Sequence, residues 1–311
     1  MNEFEIIGRI SGELPEAPPE VLVPIGDDCA VLRLGDRTWA AASDMLVCGH
    51  HFKGWATPED VGYKAVAVNV SDVAAMGGTP RFVLASCGAP NPETTLRCVR
   101  GVLEACEAFG VYPLGGDTTR AETLTVDVAI LGELSTPVLR SGARPGDLLA
   151  VTGELGASAA GRLSLESGAS DPERLANKHL RPAPRVEAGL AASRLGVGAM
   201  IDLSDGLASD ARHLCERSGV GCQVDLDLLP VAADTRSFLT SLGYEPEIVA
   251  ATGGEDYELL ISAPQPVMEG MAESVGVPLS TVGEVTDGAE GVVFVRGGEV
   301  VGGLSGWDHF G

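Results

Sequence analysis

Lys64-Ala65-Val66-Ala67-Val68-Asn69-Val70-Ser71-Asp72-Val73-Ala74-Ala75-Met76-Gly77, entered through Thr57-Pro58-Glu59-Asp60, reads as one long helix with a carboxylate on its inward side. Thr57 offers an N-cap oxygen, Pro58 suits the first helical position, and Asp60 stands where a capping box needs an acid. At 100° per residue Val61, Ala65, Val68 and Ala75 fall on one stripe, and Asp72 lands in its middle. A buried carboxylate without a partner costs several kcal/mol, so Asp72 requires a cation, a set of donors or a proton. A structural aspartate bonding loop amides satisfies the same requirement.

Outward from this helix, apolar runs at residues 39–42, 82–86, 124–131 and 148–152 read as strands, with further strands expected at 199–203, 258–262, 280–284 and 292–296. Helical patterns cover 185–194 and 207–218. The class is α/β. The turn-rich stretch Arg140-Ser141-Gly142-Ala143-Arg144-Pro145-Gly146-Asp147 leads into a new strand, which sets a domain boundary near residue 137. An N-terminal domain over 1–137 and a C-terminal domain over 138–311 fit a chain of 311 residues, at roughly 150 residues per domain.

The formal net charge of −23 argues against nucleic acid and anionic membranes as partners, because both need a basic face. Seven cysteines, none in a Cys-x-x-Cys pair, argue against a disulfide framework or zinc ribbon. The N-terminus is acidic where a signal peptide is basic, and no apolar run is long enough to span a bilayer. These features predict a cytoplasmic protein.

Acidic residues recur beside Gly, Ser or Thr at expected strand ends: Asp27 and Asp28, Asp44 after Ser43, Asp117 after Gly115-Gly116, then Asp202 and Asp205. Any one of them is ordinary turn chemistry. Their repetition in one context points to hard cations such as magnesium, which take oxygen ligands shared between carboxylates and substrate phosphates. Charge adds a second reason, since two unit charges 4 Å apart interact by about 4 kcal/mol at an effective dielectric near 20. Bare carboxylates therefore repel ATP, and a phosphate site lined with aspartate works only with divalent ions between protein and ligand. Gly115-Gly116 and Gly253-Gly254 let the backbone approach a ligand closely. No Walker phosphate loop, kinase H-R-D loop or Rossmann glycine motif is present.

Taken together, Gly26-Asp27-Asp28-Cys29-Ala30, Ser43-Asp44-Met45-Leu46-Val47 with His51-Phe52, and the Lys64 to Gly77 helix resemble the thiamine-monophosphate kinase family. Gly115-Gly116-Asp117-Thr118-Thr119-Arg120, Ile201-Asp202-Leu203-Ser204-Asp205-Gly206-Leu207, Gly253-Gly254-Glu255-Asp256-Tyr257-Glu258-Leu259 and the ending Gly306-Trp307-Asp308-His309-Phe310 follow in that family's order. The resemblance implies a two-domain α/β protein. Its N-terminal domain would lend strands to an intersubunit β-barrel, its C-terminal domain would form around a mixed sheet, and the protein would be a homodimer. It implies transfer of the ATP γ-phosphoryl group to thiamine monophosphate. By the same resemblance Asp28, Ser43, Asp44, Asp72, Asp117, Asp202 and Asp205 are magnesium ligands, with Asp27 a neighbour. Gly116, Asp117, Arg140 and Ser204 are nucleotide contacts, and His51, Glu255 and Trp307 are thiamine-phosphate contacts. Trp307 suits stacking and Glu255 suits cationic or amino groups.

The acceptor in this reading is a phosphate monoester, already largely ionised at neutral pH because its second pKa is near 6. No residue is therefore assigned as general base. His50 beside His51 could suggest a transition-metal site, but no third nitrogen or sulfur ligand stands at a recognisable spacing; His213 and His309 are read as ordinary helix-surface and tail residues. Three alternatives remain: a sister synthetase of the aminoimidazole ribonucleotide synthetase superfamily, a non-catalytic magnesium-nucleotide-binding protein, and a small-molecule kinase of the galactokinase type. The last rests on Gly153-Glu154-Leu155-Gly156-Ala157-Ser158-Ala159-Ala160-Gly161, which resembles that group's phosphate loop.

Overall fold

The computed structural model describes residues 3–168, 173–288 and 291–307. After helix α1 (Glu3–Glu13) the first domain runs β1 (Val21–Val23), β2 (Ala30–Leu34), β3 (Arg37–Val47), α2 (Pro58–Ala75), β4 (Thr79–Ala89), α3 (Pro92–Phe109), β5 (Tyr112–Arg120) and β6 (Thr125–Leu134). The second continues with β7 (Leu148–Thr152), α4 (Ala157–Ser167), α5 (Glu173–Leu180), α6 (Val186–Leu195), β8 (Ala199–Asp202), α7 (Leu207–Ser218) and β9 (Gly221–Asp225). It closes with α8 (Ala233–Ser241), α9 (Pro246–Thr252), β10 (Leu259–Ala263), α10 (Gln265–Ser274), β11 (Leu279–Thr286), β12 (Val292–Arg296) and β13 (Glu299–Val301).

Among the described residues the strands form two mixed sheets, ordered β1-β2-β3-β6-β4-β5 and β13-β12-β9-β11-β7-β10-β8. In the first, β4 and β5 pair in parallel and the other neighbours are antiparallel; in the second, β9 and β12 are the parallel pair. Strand β6 shows why the first sheet has two unlike faces. Its buried positions alternate, with Val126, Val128 and Ile130 under the helices, as a period of two demands. The intervening residues face outward, where Met45 of β3 and Leu84 of β4 remain about half exposed.

Helix α2 starts as the sequence predicts: the Thr57 hydroxyl accepts from the Asp60 amide, and the Asp60 carboxylate accepts from the Thr57 amide. Such a cap stabilises a helix by about 1 kcal/mol. The expected single apolar stripe is corrected, because α2 is buried on almost every side between the first sheet, α3 and α6. Val66, Val70 and Val73 are fully enclosed, each contributing roughly 1.5–3 kcal/mol. No helix among the described residues is long and apolar enough to cross a membrane.

Two strand-end expectations are also corrected. Ser43 and Asp44 lie inside β3, which pairs with β6 continuously from Thr38 to Val47. Asp117 lies inside edge strand β5, paired with Ser86, and Gly115-Gly116 is part of that strand.

Candidate active site

Four segments distant in sequence meet where α2 crosses the end of β8. Asp28 comes from the turn before β2, Asp72 from the last turn of α2, and Asp202 from the last position of β8. A carboxylate oxygen of each lies within 4.8 Å of the other two. Asp44 faces the same group from β3, and its charge bears on Asp72 and Asp202. Burial first, then the neighbouring carboxylates, push the acid groups of Asp72 and Asp202 well above the usual carboxylate range. Asp28, Asp72 and Asp202, drawn together at this cost, have the donor set that could hold a cation.

Arg140, in the segment between the two sheets, supplies the facing positive charge. Its Nη2 donates to Asp28 Oδ1 at 2.7 Å. The second Asp28 oxygen, Oδ2, is buried and has no hydrogen-bond partner among the described residues, as an oxygen kept for a metal would be. Asp27 is used differently: it accepts from the Arg140 and Asp28 amides, and burial followed by the Asp28 charge raises its pKa to about 6.

A cavity of about 530 Å³ opens over the aspartates. Asp44, Asp72, Asp202, Ser204 and Asp205 line its floor, and His51, Glu255 and Trp307 line its walls. The loop carrying Ser204 and Asp205 is folded by Asp210, which accepts from the amides of Asp205 and Gly206 at the start of α7. His51 Nδ1 accepts from the Val47 amide at 3.0 Å, so the neutral ring carries its proton on Nε2. Glu255 holds a left-handed backbone at φ 67° and pairs with Lys64 Nζ at 2.7 Å.

Ser43, Gly116 and Asp117 are not brought to this cavity. Ser43 points to the opposite face of the first sheet and donates to Asp127 at 2.9 Å. Asp117 is in register with Ser86, itself opposite Asp127, and so shares that outer face. A Cβ on Gly116 would come within 1.7 Å of the Ala85 carbonyl, so the glycine accommodates the close approach of strand β4. His213 is partly covered on α7 beside Ser209, and His309 falls outside the described residues.

Sequence reasoning missed several contributors. Ser71 donates to Asp202 Oδ2 at 2.6 Å; its signal was adjacency to Asp72. Lys64 was visible as a lone cation on an apolar helix, whereas His179, against Glu255 and Ser158, carried no local signal. Asp256 accepts from the amides of Gly156 and Ser158 at the start of α4. That helix N-terminus, the one resembling a phosphate loop, is thus already occupied by a carboxyl group of the chain's own.

Comparison with known proteins identifies the family. The AIR synthase related protein N-terminal domain matches residues 26–134 and the corresponding C-terminal domain matches 144–296. The chain is 38% identical to the thiamine-monophosphate kinase of Mycobacterium tuberculosis, over 100% of this chain and 92% of that protein. It is also 38% identical to the Escherichia coli K12 thiamine-monophosphate kinase, over 99% and 98%. The solved structure of AaThiL complexed with AMPPCP and TMP superposes with a TM-score of 0.87 at 34% identity, covering 99% of this chain and 97% of that one.

Proposed function

This chain belongs to the thiamine-monophosphate kinase family of AIR synthase related proteins, and from that premise we propose that it phosphorylates thiamine monophosphate with ATP, yielding thiamine diphosphate and ADP. The carrying observation is the meeting of Asp28, Asp72 and Asp202 within 4.8 Å, with Asp72 and Asp202 lining a cavity that His51, Glu255 and Trp307 also line. In our reading Asp28, Asp44, Asp72, Asp202 and Asp205 hold magnesium: all offer oxygen ligands, and one buried oxygen of Asp28 has no hydrogen-bond partner among the described residues, which fits a hard cation. Magnesium bound there supplies the positive charge that admits two polyanions to an acidic floor.

The chain's own residues then orient and neutralise. An ionised oxygen of the acceptor phosphate attacks the γ-phosphorus of ATP, and the bond from that phosphorus to the oxygen bridging to ADP breaks. No proton has to be removed, so no general base is assigned. Arg140, held by Asp28, contributes a fixed cation beside the transferring group. Ser204 contacts the nucleotide, while His51, Glu255 and Trp307 hold the thiamine end.

The outer face of the first sheet supports a homodimer, since Met45 and Leu84 leave it apolar and half exposed. Strands of a second copy packed there would complete the barrel and would bring new neighbours to Ser43, Gly116 and Asp117, which we assign to metal and nucleotide on that face. A reaction consuming ATP suits the cytoplasm. Incubation with ATP, magnesium and thiamine monophosphate, followed by chromatography, tests the function. Magnesium-dependent thiamine diphosphate is expected; ATP hydrolysis without it, or no turnover, overturns the reading.

A further inference from the structure

Glu255 has two protein partners behind it, and neither belongs to the metal cluster. Lys64, on α2 of the first domain, is only 4% exposed, and its ammonium lies 2.7 Å from Glu255 Oε1. His179, at the end of α5, places Nδ1 3.3 Å from Glu255 Oε2 and 3.0 Å from the Ser158 hydroxyl. Lys64 Nζ has no other hydrogen-bond partner among the described residues. A buried ammonium committed to one carboxylate on a cavity wall is costly to maintain.

The backbone under Glu255 is held as tightly. Its φ of 67° is left-handed, a conformation that a non-glycine residue keeps only when its surroundings over-determine it. Its amide donates to the Ser204 carbonyl at 2.7 Å, and a Cβ on Gly254 would lie 2.6 Å from the same oxygen. Glu255 is thereby fixed from the loop that also carries Asp205, and from α2, which carries Asp72.

We propose that Lys64 is a positioning residue for substrate recognition: it locks Glu255 as a charge-compensated acceptor, so that Glu255 recognises the amino group of the substrate's pyrimidine rather than the positive charge of its thiazolium. This rests on the kinase reading above. The choice between the two ends follows from charge. With Lys64 at 2.7 Å the pair has no net charge to attract a distant cation, whereas the lone pairs that Lys64 and His179 leave unused on each oxygen still accept hydrogen bonds. Because Lys64 holds one oxygen and His179 lies against the other, the carboxylate is oriented before substrate enters.

Steady-state kinetics on the full chain test this, using Lys64→Met, Glu255→Gln and the double variant. Thiamine monophosphate is compared with its analogue carrying a carbonyl in place of the pyrimidine amino group. A hydrogen bond to a charged group is worth about 1.5–3 kcal/mol, so each single variant should raise the KM for thiamine monophosphate about 10-fold to 100-fold. The KM for ATP should not move, the double variant should be no worse than the singles, and the preference for the amino compound should shrink in each variant. A Lys64→Met enzyme that shifts both KM values equally, or keeps the full preference, overturns the proposal, as does simple additivity in the double variant.

If Lys64→Met does not fold, Glu255→Asp decides, since the shortened carboxylate cannot hold Lys64 and reach the cavity together: unchanged KM and preference overturn the proposal, a raised KM for thiamine monophosphate supports it. Absence of product from the unaltered chain overturns the kinase reading itself and this inference with it. Turnover by the unaltered chain with an unshifted KM in Lys64→Met removes only the role of Lys64.

Discussion

The Ser71 hydroxyl donates to Asp202 Oδ2 at 2.6 Å, joining α2 of the first domain to the last residue of β8 in the second. Both residues are buried, and this bond, with the Arg140 charge, opposes the rise in the Asp202 pKa that burial and Asp28 impose. Ser71→Ala should therefore make the site harder to ionise and harder to load. Loss of a group that supports a metal ligand typically costs about 10-fold to 100-fold in metal affinity. Titrating activity with magnesium should show the half-saturating concentration moving up on that scale, with kcat recovered at high magnesium. An unmoved titration would make Ser71 a packing residue.

Asp72→Asn removes one of the mutually repelling carboxylates while keeping its size. Activity should fall on the order of 10²–10³, the usual loss when a fixed electrostatic group leaves a reacting site. Stability without metal should move in the other direction. Burial, Asp44, Asp202 and Asp28 all disfavour the ionised Asp72, so the variant's Tm in a chelator should exceed that of the parent. Adding magnesium should raise the parent's Tm by more than the variant's. Scanning calorimetry with and without magnesium reads both effects.

His179 supplies a pH dependence of known sign. Burial first, and then the Lys64 charge, lower its pKa from 6.5 to about 3 despite Glu255. The folded chain therefore binds fewer protons than the unfolded one between these values, and the stability conferred by the neutral ring is complete above 6.5 and is lost as pH falls toward 3. One such group contributes up to about 1.4 kcal/mol per pH unit. Relative to His179→Asn, the parent's stability advantage should shrink by roughly 2 kcal/mol between pH 6.5 and pH 5. Urea unfolding at the two values measures the difference; parallel pH profiles would show that the ring stays neutral in both states or charged in both.

Much of the fold was readable from local pattern. Strands β7 and β12 and helix α7 have the ends that apolar runs and caps predict, because turn residues bound them on both sides. The failures have a shared cause. Ser43-Asp44 and Gly115-Gly116-Asp117 look like strand exits, since polar and glycine residues disfavour isolated strands. In the folded chain β6 pairs β3 along its whole length, and β4 holds β5 through Gly116, so neighbouring strands outweigh local preference. The apolar stripe on α2 underestimates its burial for a similar reason: periodicity reports which side must be covered and is silent about a second domain covering the other.

For the site, the sequence by itself determined the chemistry. Aspartates beside Gly and Ser, in a chain with no phosphate loop, supply oxygen ligands suited to a hard cation, and the quoted motifs identify the family. Only the tertiary structure decided which oxygens meet. It joined Asp28, Asp72 and Asp202 and turned Ser43 and Asp117 to the other face of the sheet. It also set Lys64 against Glu255 across the domain boundary. Side-chain types fix what a group can bind, whereas strand register and domain packing fix where it points, and a shift of one residue along a strand reverses that direction.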